Sequence, residues 1–283
     1  MIRRALLLSL LAALPIWLAA CQTVPRGQAA TPEPFVFVHI TDPQVGMYKK
    51  FDQAEDFSIE IRDFARAVAF VEEIQPDFVV IGGDLVETWN NQDEIAVLKE
   101  FVEQLEQHTV VHLQPGNHDH PPTAEGLAFY RELHGPDYYS VTHKGTHLIL
   151  LNSNMIEFKD RMPDEEQEQW EWLEAELQAA GELNPDNIFV FVHHPFFLAS
   201  PDEENTYFNI QPETRAKYFE LFEEHGVDAV FAGHYHREAG GFYGDIEMIV
   251  TSSLGTPLGD QPPGLRRVLV APDGYGHEFL PLP

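Results

Sequence analysis

The chain has 283 residues, which fits one large α/β domain or two small ones, and 44% of them are hydrophobic, so a full core can be buried. Lys and Arg number 17 against 46 Asp and Glu, a formal charge of −29. Such a surface repels DNA, RNA and anionic lipid at long range, which argues against a nucleic-acid polymer as the main substrate.

The N-terminus reads as a targeting segment. Arg3 and Arg4 form a positive region, Ala5 to Trp17 an apolar one, and Leu18-Ala19-Ala20-Cys21 resembles the lipobox of bacterial lipoproteins. The apolar stretch is shorter than the roughly 20 residues a membrane-spanning helix needs. Residues 1–20 are therefore expected to be a lipoprotein signal peptide, with Cys21 the lipidated residue; an ordinary signal peptide or N-terminal anchor is the competing reading. Residues 21–34, rich in Pro, Ala, Gly and polar side chains, read as a flexible tether. Cys21 is the only cysteine, so cysteine usage says nothing about redox compartment. With Gln22 after the cysteine, the resemblance favours outer-membrane sorting. The expected location is the bacterial cell envelope, lipid-anchored and facing the periplasm.

Residues 35–283 read as one folded domain. Phe35 to Ile40 is a near-continuous apolar run that suits a strand buried on both faces. Ala54 to Ile74 carries Phe57, Ile61, Phe64, Ala65, Val68 and Val71 at helical spacing. A strand at Phe78 to Ile81, a helix at Glu94 to Gln107 and a strand at Thr109 to Leu113 follow. Strand, polar tip and helix thus recur, the rhythm of an α/β protein with parallel strands. Tyr138 to Thr142 and His147 to Leu151 suggest a hairpin. Asp164 to Ala180 is an acidic helix, Ile188 to Val192 a buried strand, and Pro212 to Glu224 a helix with proline in its first turn. Ala229 to Ala232 is a strand, and the tail (Ile246 to Val250, Arg267 to Val270, Gly276 to Leu282) reads as short antiparallel strands.

Five tips carry the chemistry: Asp42-Pro43-Gln44, Gly82-Gly83-Asp84, Gly116-Asn117-His118-Asp119, His193-His194-Pro195 and Gly233-His234-Tyr235-His236. Each lies just past the end of a predicted strand, where ligands collect in α/β sheets. Any one of them alone is ordinary turn material. Together they supply hard oxygens and imidazoles for one shared metal site.

The order Asp-x-Gln, Gly-Asp, Gly-Asn-His-Asp, His-x-Pro, Gly-His-x-His resembles the calcineurin-like metallophosphoesterases. Tyr207-Phe208-Asn209, Arg237 with Gly240-Gly241, and Ser252-Ser253 with Gly264-Leu265-Arg266 bring it closer to the calcineurin-like phosphoesterase domain-containing subfamily, whose animal members are described as serine/threonine phosphatases. The similarity covers Phe35 to the C-terminus. It implies a four-layer α/β/β/α sandwich of two mixed sheets flanked by helices. It also implies a ligand set. Asp84 would bridge two metals; Asp42 and His236 would hold the first, with Gln44 where the wider family has histidine. Asn117, His193 and His234 would hold the second. His118 would assist the leaving group, and Asp119 would orient His118. Two ions about 3.5–4 Å apart would clamp the phosphate and generate the attacking hydroxide. An amide oxygen at Gln44 favours Mn²⁺ or Mg²⁺ over Zn²⁺. The expected cofactors are thus two divalent ions, Mn²⁺ or Fe/Mn, with Mg²⁺ and Zn²⁺ as alternatives.

Arg237 is a candidate phosphate contact, with a surface ion pair as its competing role; His194 lines the pocket or packs on Pro195. Tyr48, His120, Tyr207 and Asn209 lie near the motifs as candidates for specificity. The resemblance implies hydrolysis of phosphate monoesters in a phosphorylated small molecule or protein, with phosphodiesters as the alternative. A metal- or phosphate-binding module without turnover, motivated by Gln44, is the alternative of another class. No obligate protein partner is expected.

Overall fold

Eleven strands and seven helices fill residues 33–283, the part of the chain that this computed structural model describes. The expected signal peptide, Cys21 and all but the last two residues of the expected tether lie outside it. In chain order the elements are β1 (Phe35–Ile40), α1 (Met47–Lys50), α2 (Ser58–Ile74), β2 (Phe78–Gly82), α3 (Gln92–Glu106), β3 (Val110–Gln114), α4 (Ala124–His134), β4 (Tyr139–His143) and β5 (Thr146–Leu150). They continue with α5 (Ser153–Glu157), α6 (Pro163–Leu183), β6 (Asn187–Phe191), α7 (Pro212–Glu224), β7 (Ala229–Ala232), β8 (Ala239–Tyr243), β9 (Ile246–Val250), β10 (Gly264–Ala271) and β11 (Gly274–Pro281).

The apolar runs are unbroken because both faces of the central strands are covered. Successive side chains alternate between two different cores. On β1, Phe35 and Phe37 enter a layer between two sheets, while Val38 and Ile40 face helices α2 and α3. On β6, Phe189 and Phe191 meet that same layer, and Ile188 and Val190 face α6 and α7. The result is the expected α/β/β/α sandwich. One sheet has the order β11-β10-β1-β2-β3 and the other β4-β5-β6-β7-β9-β8. Strands β1, β2 and β3 run parallel, as do β5, β6, β7 and β9, and antiparallel strands complete the edges. Both sheets are mixed.

Phe37 sits at the centre of the inter-sheet layer. It stacks on Phe78 at 5.0 Å and meets Phe189, Phe191 and Phe231 at tilted or edge-on angles. These are favourable aromatic geometries, each worth about 0.5–1.5 kcal/mol beyond the area buried.

Two expectations need correcting. Ile246–Val250 pairs parallel with β7 on one side and antiparallel with β8 on the other, not with the other tail strands. Strand β8 runs out along the sheet edge and β9 returns between β8 and β7, which reverses the direction. Strand β8 escaped prediction because Gly240 and Gly241 weaken any strand signal. Helix α2 begins at Ser58, not Ala54: Asp56 Oδ1 accepts the Ser58 N–H at 3.0 Å and closes a turn before it. Among the described residues no helix is long and apolar enough to cross a membrane.

Candidate metal centre

Asp42, Asp84, Asn117, His193 and His234 follow the C-terminal ends of β1, β2, β3, β6 and β7. Parallel strands bring those ends to one edge of the sandwich, and short backbone bonds clamp the tips together. Asp42 N donates to Gly83 O at 3.1 Å, Gln44 N to Asp84 O at 2.9 Å, and Gly233 N to His193 O at 3.1 Å. Close approach demands glycine: a Cβ on Gly116 would strike the backbone nitrogen and carboxylate of Asp84. A Cβ on Gly233 would come 2.6 Å from Asp42 Oδ2.

Backbone strain gathers here. Among the described residues nine non-glycine positions have positive φ, and five of them are Asp42, Gln44, Asp84, His234 and His236. Left-handed backbone costs about 1–3 kcal/mol per such residue and persists only where the surroundings impose it. Asp and His tolerate it better than most. Gln44, at φ 38°, does not have that excuse.

The donors converge in two groups that share one carboxylate. Asp84, His193 and His234 form one; Asp42, Asp84 and His236 form the other, with ligand atoms in each within 4.8 Å of one another and every residue buried. His193 Nε2 lies 3.2 Å from Asp84 Oδ2, and His236 Nε2 lies 3.2 Å from Asp42 Oδ1.

Each imidazole is turned by a backbone carbonyl. His193 Nδ1 faces Gly82 O at 2.9 Å, His236 Nδ1 faces Thr256 O, and His234 Nε2 faces Tyr207 O at 3.2 Å. A carbonyl only accepts, so the facing nitrogen carries the proton and the opposite nitrogen offers a lone pair. Gln44 Oε1 and Asn117 Oδ1 are buried polar atoms with no hydrogen-bond partner, and His193 Nε2 has only carboxylate oxygen before it. Buried acceptors and carboxylates that meet without a donor between them are the chemistry of a cation site, and the residues present fit divalent metal.

The electrostatics agree. Burial pushes His193 down, but the charges of Asp84 and Asp42 outweigh it and hold the ring up to about 9. A proton on Nε2 stands where a cation would, and the two compete for that lone pair. His234, by contrast, is lowered to about 4 by burial and by His193.

Residues 35–238 match the sequence profile of the family described as calcineurin-like phosphoesterase. The chain belongs to that family. It is a metal-dependent phosphoric ester hydrolase, and family membership implies a dinuclear divalent-metal site. The chain is 34% identical over 264 residues to the serine/threonine-protein phosphatase CPPED1 of Bos taurus, covering 88% of this chain and 84% of the relative. It is 34% identical over 265 residues to CPPED1 of Homo sapiens, with the same coverage. A crystal structure of a dimetal phosphatase from Danio rerio superposes with a TM-score of 0.63 at 16% identity, over 89% of this chain and all of that one.

Within this phosphoesterase site His118 sits at the rim, its side chain 24% exposed. Its backbone N–H donates to Asp84 Oδ1 at 2.9 Å, and its Nδ1 faces Glu87 O at 3.0 Å, which leaves Nε2 outward. Burial lowers its pKa, but Asp84, the Glu87 carbonyl and the Glu87 carboxylate raise it more, and the net shift is upward.

Asp119 departs from expectation. Its carboxylate does not orient His118. Oδ1 accepts the N–H groups of Leu85 and Val86 at 2.8 and 3.2 Å, and Oδ2 accepts that of Gly116 at 2.7 Å. Three buried donors of two ligand loops have first claim on it. Burial and the charge of Asp84 push Asp119 up to about 7, against the pull of those donors. Glu87, which follows Asp84 by three residues and carries no motif signal of its own, faces His118 instead, its Oε2 3.5 Å from Nδ1.

His194 lies beneath the site, 3% exposed. Its Nδ1 meets Ser153 Oγ at 2.9 Å and its ring centre is 4.6 Å from that of His234. Burial, then His234 and His193, hold it well below its usual range, so it supports the ligands as a neutral ring. Arg237 is exposed, its guanidinium 5.7 Å from the Tyr235 ring centre. Tyr207, 70% exposed, overhangs His234 at 5.1 Å between ring centres. Asn209, also singled out, turns away and ties Glu203 and Thr206 within its loop.

Proposed function

We propose that this phosphoesterase hydrolyses phosphate monoesters at two divalent cations. One is held by Asp42, Gln44, Asp84 and His236, the other by Asp84, Asn117, His193 and His234. The observation that carries the reading is the sharing of Asp84 between two buried donor groups whose imidazoles are turned lone pair inward. When bound, the cations supply Lewis acidity toward the phosphate and an activated water.

The chain's own residues do the rest. His118 has Nδ1 committed to Glu87, so Nε2 is the atom that delivers a proton to the leaving alkoxide. Arg237 is free of ion pairs among the described residues and offers its guanidinium to the substrate phosphate. Tyr207 borders the mouth and contacts the esterified group. The oxygen donors of Asp42, Asp84, Gln44 and Asn117 favour Mn²⁺ or an Fe/Mn pair over Zn²⁺. A monoester substrate, on a small molecule or a protein, follows the phosphatase relatives.

The test is hydrolysis of p-nitrophenyl phosphate beside bis-p-nitrophenyl phosphate. The metal-stripped chain is reloaded in turn with Mn²⁺, Mg²⁺, Fe²⁺ and Zn²⁺, and Asp84→Asn serves as the blank. Preference for the monoester, lost in the blank, supports the reading. Preference for the diester moves the assignment to phosphodiesterase, and a folded, metal-loaded chain without turnover moves it to a binding module.

Lipid anchoring through Cys21, in the bacterial envelope and facing the periplasm, is a separate proposal from Arg3, Arg4 and the Leu18–Cys21 tetrapeptide. A Cys21→Ser chain that still partitions with membranes would sink it.

A further inference from the structure

Gln44 stands where the wider family carries histidine, and an amide can turn either end toward a cation. Its nitrogen and oxygen occupy nearly the same volume, so packing does not choose between them. Glu87 chooses. An ionised carboxylate only accepts hydrogen bonds, and Glu87 Oε2 lies 2.9 Å from Gln44 Nε2. The NH₂ end is thereby held on the Glu87 side and Oε1 on the opposite one. Oε1 is buried and has no hydrogen-bond partner. The Gln44 backbone is tied to Asp84 O at 2.9 Å, next to the Asp42–Asp84–His236 group.

Glu87 is itself held still. Its side chain is 3% exposed, Oε1 pairs with Lys50 Nζ at the end of α1, and its N–H donates to Val45 O at 2.9 Å. Lys50 offsets the cost of burying that charge. An isolated structural ion pair would account for Lys50 and Glu87 alone. It would not account for the second carboxylate oxygen, which lies 3.5 Å from His118 Nδ1 but takes its 2.9 Å hydrogen bond from an amide whose other end is left without a partner.

We infer that Glu87 is a positioning residue for the first metal position: it holds the Gln44 amide with the oxygen toward the cation, and so lets glutamine serve as a ligand there. The inference rests on the phosphoesterase reading of the site. Partners that orient a metal ligand are worth about 10–100-fold in metal affinity.

The test is calorimetric titration of Mn²⁺ into the metal-stripped full-length chain, with bound ions counted by elemental analysis and folding checked by circular dichroism. The wild-type chain takes up two ions. E87L weakens one of them about 10–100-fold and leaves the other unchanged, as does Q44L. In the Q44L background E87L costs no more than about twofold, since its route to the metal is already gone. E87Q keeps an oxygen that can accept from Gln44 and loses less than E87L.

Three results overturn the inference: E87L binding both ions like the wild type, an equal loss with and without Gln44, or E87Q falling as far as E87L. Should E87L fail to fold, E87Q measured in both backgrounds makes the same comparison. Two ions bound in the expected pattern without ester hydrolysis would leave the role of Glu87 standing and remove the phosphatase reading. Hydrolysis with metal binding indifferent to Glu87 would do the reverse.

Discussion

Asn in place of Asp119 separates two roles that the carboxylate could have. Asp119 is 4% exposed and accepts three backbone N–H groups: Leu85 and Val86 on one oxygen, Gly116 on the other. An amide keeps one oxygen. With that oxygen on Leu85 and Val86, the NH₂ faces the N–H of Gly116, donor against donor. Hydrogen bonds to a charged group are worth about 1.5–3 kcal/mol, and the stranded Gly116 donor adds its own desolvation cost. Relief of the repulsion from Asp84 offsets part of this. The net expectation is a loss of about 2–3 kcal/mol. In a domain of this size each kcal/mol moves Tm by roughly 2–4 °C, so D119N should melt about 4–12 °C lower by scanning calorimetry of the metal-loaded chain. Because the contact is with backbone and not with His118, the pH profile of kcat for p-nitrophenyl phosphate should keep its shape. A Tm within about 1 °C of wild type, with kcat collapsed and its pH profile displaced, would refute the argument and return Asp119 to the role of orienting His118.

His118→Gln should lower kcat about 10²–10⁴-fold with two ions still bound, the range for losing a general acid; loss of metal by elemental analysis would instead make His118 a ligand. Gly116→Ala should reduce both metal content and Tm, because the new methyl meets the Asp84 backbone and carboxylate; an unchanged ion count by elemental analysis would show that the two loops have slack. His39 is buried beside Phe191 and Phe231, and its pKa is lowered to about 3, by burial first and then by Arg266. A histidine depressed in the folded state binds its proton more readily when unfolded, so the stability it confers is present above about 6.5 and is lost as pH falls from there toward 3. Urea unfolding should show H39M with a slope shallower by up to about 1.4 kcal/mol per pH unit in that window; parallel slopes would place the acid sensitivity elsewhere.

The candidate donors were legible in the sequence because their chemistry resides in residue type. Asp42, Asp84, Asn117, His193, His234 and His236 follow strand ends, and parallel strands bring those ends together whatever the loops do. What stayed hidden is orientation. Gly82 O, Tyr207 O and Thr256 O turn the three imidazoles, and a backbone carbonyl carries no signature in a sequence because every residue has one. For the same reason Asp119, adjacent to His118 in the chain, was expected to serve it: its true partners are backbone N–H groups, one pair of them on another loop. Strand β9 shows the same limit at the scale of the fold, since direction within a sheet depends on a glycine-rich neighbour that local pattern does not reveal.

Gln44 brings the two levels together. As a residue type it is a weak, neutral ligand in place of an imidazole, and that made the site look impaired. In the structure its backbone is held at φ 38°, its NH₂ end is claimed by Glu87, and its oxygen is buried without a partner. Left-handed backbone at a residue type that seldom adopts it, and a buried carbonyl left unpaired, are each costs of order a kcal/mol or more. Two such costs at one residue, whose amide is held by the buried carboxylate of Glu87, argue that the surrounding structure is built to place that oxygen, and a cation is the partner that would return the energy.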